Sequence, residues 1–219
     1  MRWRTHCSAI LAAVHLTACG QRPPVRPTGS ASSRQAASQG LETLRKLVNA
    51  DNYRSMGFES LDEVRSASLG DPLHIYRVRL DQLREYEPGG DPEKLLSDIG
   101  QDLYPVSVAG AVRSSVLIEK KGGQWSAVSF GGANLVKVLG QRLADNSTTS
   151  KVAAASYFEV HVAALNMYFL GYRQESRLML VPLIDDAKLK FTAGMPVPAA
   201  EVFAALVPAA KAVPPDKPL

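Results

Sequence analysis

The chain has 219 residues, 46% hydrophobic and 21% charged, a composition that supports a buried core and excludes a largely disordered protein. Its 25 Lys and Arg stand against 21 Asp and Glu. With Arg2 and Arg4 set aside the balance is 23 to 21, too even and too mixed to form the electrostatic footprint of a nucleic-acid binder.

Residues 1–18 begin with Arg2 and Arg4, continue through an apolar stretch from Cys7 to Leu16, and end on the small residues Thr17 and Ala18. That is the layout of a secretory signal, and its apolar run falls short of the about 20 residues that span a bilayer. The sequence Leu16-Thr17-Ala18-Cys19-Gly20 closes the segment and resembles the lipobox of bacterial lipoproteins, Leu-x-Ala/Gly-Cys. The resemblance implies cleavage between Ala18 and Cys19, diacylglycerol on the Cys19 thiol and acylation of the new amino group. Two or three acyl chains, at about 0.8 kcal/mol per buried CH₂, make such an anchor effectively permanent. Gly20, where lipoproteins retained at the inner membrane commonly carry Asp, implies the outer membrane. Cys7 and Cys19 are the only cysteines, so disulfides, thiol catalysis and Cys-ligated zinc are excluded from residue 20 onward.

Residues 19–40, rich in Pro, Ser, Gly and Ala, read as a lipidated N-terminus followed by a flexible tether. A globular domain is expected over 41–212 and a Pro-rich tail over 213–219. Leu41, Leu44, Leu47 and Val48 make one helical stripe, and Ser60-Leu61-Asp62-Glu63 has the form of a capping box. The alternating, β-branched and aromatic run 73–80 predicts a strand. Asp91-Pro92-Glu93 predicts a helix start, with Leu95, Leu96 and Ile99 on its apolar side and Gly100 at its close. A hairpin is expected from 112–120 and 125–130 around Gly122-Gly123. Leu135, Val136, Val138, Leu139 and Leu143 predict a helix ending near Asn146. Three strands follow at 157–164, 167–173 and 177–184, close enough in sequence to form an antiparallel meander. A last helix is expected over 199–211. The resulting fold class is α+β, an antiparallel sheet of about five to six strands with helices packed on one face.

Beyond the signal segment the only histidines are His74 and His161, both in predicted strands. His161 shares a strand face with Tyr157 and Glu159, opposite the apolar Phe158, Val160 and Val162, so the three could form an acid/base cluster. The plainer reading is the solvated face of a half-buried sheet. With no third histidine and no His-x-x-x-His spacing, no metal site is expected, and no cofactor motif occurs. Gly131-Gly132 precedes a helix and could present bare amides to an anion, although a tight strand-to-helix turn is sufficient explanation. The acidic loop with Glu85, Glu87, Asp91 and Glu93 lacks EF-hand spacing, Asp185-Asp186 reads as a turn, and Arg77 with Arg79 reads as a wet strand face. Gly-x-Ser-x-Gly, Ser-x-x-Lys and His-Glu-x-x-His are all missing.

The expectation is therefore a membrane-anchored envelope lipoprotein acting as a non-enzymatic binding module, its partner another envelope protein or a small ligand. The alternatives are an exported hydrolase using His161 and Glu159, and a structural lipoprotein joining membrane to cell wall.

Overall fold

The computed structural model describes residues 31–214. Five helices occur there, α1 (Ala31–Leu47), α2 (Leu61–Ser66), α3 (Leu80–Arg84), α4 (Ala133–Ser150) and α5 (Ala199–Ala212). The strands are β1 (Ser68–Leu69), β2 (Leu73–Arg77), β3 (Ser97–Val108), β4 (Ala111–Lys121), β5 (Gln124–Phe130), β6 (Phe158–Val162), β7 (Met167–Gln174), β8 (Arg177–Pro182) and β9 (Val197–Pro198). All nine join one sheet in the order β5-β4-β3-β2-β6-β7-β8-β9, with β1 paired to β3.

The mixture of helices and a single sheet is as expected, but the sheet is larger than five to six strands and is not purely antiparallel. β2 and β6 run parallel, His74 opposite Phe158 and Arg77 opposite His161. The chain reaches that pairing by leaving β5 and carrying α4 across the sheet before it enters β6. A parallel pair needs such a crossover, whereas β3–β4, β4–β5, β6–β7 and β7–β8 are joined by turns of two to four residues.

Helices also cover both faces, not one. Tyr104 and Val106 of β3 pack with Leu41 and Leu44 of α1, while Leu103, just before them, packs with Val136 and Leu139 of α4. On β6, Phe158, Val160 and Val162 pack with Val202, Phe203 and Leu206 of α5. Alternate strand residues point to opposite faces, so α1 and α5 lie side by side on one face and α4 lies alone on the other.

Two local expectations change. Residues 31–40 are not tether: they are the first half of α1, and Ser33, Ala36, Ala37 and Gly40 are buried on the stripe that Leu41, Leu44 and Val48 continue. Small side chains let the helix lie close against β4 and β5. A Cβ on Gly40 would come within 2.5 Å of Val116 Cγ1 and 3.0 Å of Ala127 Cβ. The helix expected from Asp91 is only a 3₁₀ turn over Pro92–Leu95, after which the chain enters the 12-residue β3. Asp91 still caps it, accepting from the Glu93 amide at 3.0 Å. Leu103, Tyr104 and Val106 gain both faces of the core by pairing with β2 and β4, which outweighs the weak local helical stripe.

Other elements stand where the sequence places them. Ser60 Oγ accepts from the Glu63 amide, and the Glu63 carboxylate accepts from the Glu59 amide at 2.7 Å, which caps α2. Gly122 and Gly123 take φ of 60° and 85°, turning β4 into β5. The β6–β7–β8 meander and α5 are present, and α4 extends past Asn146 to Ser150.

Candidate functional site

Beneath the first turns of α4 the sheet carries a cavity of about 360 Å³. Its floor is two neighbouring rows of strand residues. Gln101, Ile75 and Glu159 form one row across β3, β2 and β6, and Arg77, His161 and Tyr168 form the next across β2, β6 and β7. Its roof is Leu135 and Val136 of α4 with the Gly131-Gly132 turn. Gly131 and Gly132 take φ of 99° and 64°, and the turn is held to β4 by Gly131 N–H donating to Ser115 O at 3.1 Å and Ser115 Oγ donating to Gly131 O at 2.7 Å. This clip fixes where α4 begins and so sets the height of the roof.

Glu159 is 3% exposed, and its Oε2 has no hydrogen-bond partner. Burial alone pushes its carboxyl up to about 7, because no cation or donor offsets the lost hydration. His161 moves the other way. Burial, helped by the Arg77 charge, lowers its pKa to about 4, so the imidazole is neutral at pH 7. The ring stacks on Tyr168, centroids 4.1 Å apart and planes 9° from parallel. Burial first, and then the nearby Glu159 charge, raise the Tyr168 phenol, against the pull of Arg77. Two groups whose environments drive them toward uncharged forms thus share one recess with an exposed guanidinium.

The face carrying Tyr157, Glu159 and His161 is consequently not a fully solvated one: α4 packs over it, Tyr157 and Glu159 are buried and His161 is half-buried. Glu159 and His161 meet in the cavity, but Tyr157 does not line it. Tyr157 is 1% exposed, its hydroxyl 2.8 Å from Ser150 Oγ and its ring 4.8 Å from Tyr172, and it packs in the core. Arg77 and Arg79 separate as well. Arg77 lines the cavity, whereas Arg79 leaves the strand and forms a two-point pair with Asp81 at 2.6 and 3.0 Å. Sequence reasoning missed Tyr168 and Gln101 altogether. Their only signal is strand alternation, which marks a shared face without saying what roofs it.

A second polar cluster lies on the opposite face, under α1. His74 Nδ1 is 2.8 Å from Asp102 Oδ1 and its Nε2 is 3.0 Å from Asp98 Oδ1. Asp102 also accepts from Ser33 Oγ at 3.0 Å, and Ser33 lies 2.7 Å from the Tyr104 hydroxyl. Asp102 stands between the serine and the imidazole, so His74 is not placed to take a proton from Ser33, and the order of a nucleophilic triad is not met. This network joins α1 to β2 and β3.

Of the remaining acidic candidates, Asp91, Glu93, Asp185 and Asp186 have partners within the chain. Asp185 accepts from the Ala193 amide and Asp186 from those of Lys188 and Leu189, as turn residues do. Glu93 pairs with Arg173 at 2.6 and 2.8 Å. Among the described residues there is no group of three or more potential metal ligands, and no helix is long and apolar enough to cross a membrane. Ala18 and Cys19 lie outside the described residues. No protein-family model matches the chain, and neither does any curated protein or solved structure.

Proposed function

We propose that this chain is an envelope lipoprotein, held on a membrane through Cys19, whose domain is a non-enzymatic binding module for a small ligand seated between α4 and the sheet. The anchor rests on Leu16-Thr17-Ala18-Cys19-Gly20 and the segment before it. The binding role rests above all on Glu159: a buried carboxyl with one oxygen lacking a partner, on a residue that lines a cavity, calls for a donor that the protein itself does not supply. The ligand therefore carries a hydrogen-bond donor, and an ammonium satisfies the ionised form best.

Two experiments test the two halves. Cells fed a labelled fatty acid should yield a labelled, membrane-bound protein, and C19A should lose both the label and the sedimentation with membranes. Butylamine, followed by ligand-detected NMR at about pH 8 where Glu159 is ionised, should contact the wild-type protein and not E159Q. An undiminished signal with E159Q removes the basis for the binding role.

An exported enzyme is the second reading, favoured by a carboxyl near neutrality and a neutral imidazole in one recess, the arrangement from which acid/base pairs are built. H161A separates the two. An activity lost in a folded H161A protein establishes the enzyme, whereas butylamine binding retained in H161A with no turnover of envelope substrates supports the module.

A further inference from the structure

The Glu159 cavity does not end at the first turn of α4. A second recess, of about 420 Å³, adjoins it, and the two meet at Leu135 and Tyr168, which line both. Their characters differ. The second is lined by Leu135, Val138 and Leu183, and its rim is Ile184, an isoleucine left 71% exposed. A polar recess lined by Glu159 thus adjoins an apolar trough with an exposed aliphatic edge.

The polar end also carries a charge pattern. Arg77 and Glu159 sit on adjacent parallel strands two register positions apart, which sets their Cα atoms about 8 Å from each other. Arg77 is exposed and makes no ion pair among the described residues, while Glu159 lies deep. A head group that satisfies both has an ammonium pointing inward and an anionic group nearer the mouth. A bare amine would leave the guanidinium without a counter-charge, and a bare anion would leave Oε2 without a donor.

We infer that the two recesses form one site for a single-chain zwitterionic amphiphile, its primary ammonium on Glu159, its anionic group on Arg77 and its hydrocarbon chain along Val138, Leu183 and Ile184. This rests on the small-ligand reading of the Glu159 cavity. The neutral His161, stacked on Tyr168, supplies the flat wall where head and chain meet.

The test uses the mature chain, residues 19–219, bearing C19A so that no detergent is needed. Isothermal titration at about pH 8 compares lauroyl lysophosphatidylethanolamine below its micelle concentration, the corresponding lysophosphatidylcholine, and O-phosphoethanolamine. The ethanolamine lipid should bind about tenfold or more tightly than the choline lipid, whose trimethylammonium has no N–H to donate, and than the head group alone. I184N, a change at an exposed position, should weaken the lipid about tenfold and leave O-phosphoethanolamine unchanged. E159Q and R77Q should weaken both, with near-ultraviolet circular dichroism confirming that each variant is folded. Equal affinity for the two lipids, or no effect of I184N, overturns the inference. If the lipids fail while butylamine still binds through Glu159, the amphiphile is wrong and the Glu159 cavity stands. If butylamine fails too, both fall.

Discussion

Glu159→Gln should make the protein more stable at alkaline pH, and by a calculable amount. In the folded chain the carboxyl is moved from its ordinary 4.5 to about 7 by burial. Between those values the folded state holds a proton that the unfolded state has released, so stability falls as pH rises from about 4.5 and the loss is complete above about 7. At about 1.4 kcal/mol for each pH unit, the ionised carboxylate costs about 3 kcal/mol of folding free energy. Glutamine keeps the shape and cannot ionise. The wild-type and E159Q stability curves should therefore diverge by about 3 kcal/mol between pH 4.5 and 8, with E159Q gaining, which for a domain of this size is about 6–12 °C in Tm. Urea unfolding at half-unit pH steps, read by circular dichroism, measures it. Taking the difference between variants removes the separate titrations of His74 and His161, which both proteins share. Curves that stay parallel across that range would refute the desolvated carboxyl, and with it the acceptor on which the binding role depends.

Three further outcomes follow from the packing. G40A places a methyl group 2.5 Å from Val116 Cγ1, so it should destabilise the domain by about 1–3 kcal/mol in chemical denaturation; a flexible tether would tolerate it without change. D102N should cost about 3 kcal/mol at about pH 6, because it breaks a pair whose carboxylate is fully buried and weakens the link to Ser33. Burial opposes the charged His74 ring, but the Asp102 hydrogen bond and the charges of Asp98 and Asp102 raise its pKa, so that contribution is present below 6.5 and fades as pH rises through the folded value; the D102N penalty should shrink accordingly by about pH 9. H161F should gain on wild type as pH falls from 6.5 toward 4, since burial and Arg77 keep the folded imidazole from accepting a proton that the unfolded chain accepts. Thermal unfolding across that range reads the effect, and a constant difference would contradict the burial of His161.

Where local chemistry decides the outcome, the sequence alone was sufficient. Ser60 and Glu63 cap α2, Asp91 caps the turn after it, Gly122 and Gly123 close the β4–β5 hairpin, and alternation sets out the β6–β8 meander, because each depends on residues a few positions apart. Tertiary structure decided the rest. A polar face on β6 reads as wet until α4 crosses it, and the crossing depends on the β2–β6 pair, which joins residues such as His74 and Phe158 more than eighty positions apart. The small residues of 31–40 look like linker because burial of Ala36, Ala37 and Gly40 has meaning only against Val116 and Ala127. Period-2 alternation assigns a residue to a face, and only the element lying over that face determines whether Glu159 keeps its water or loses it.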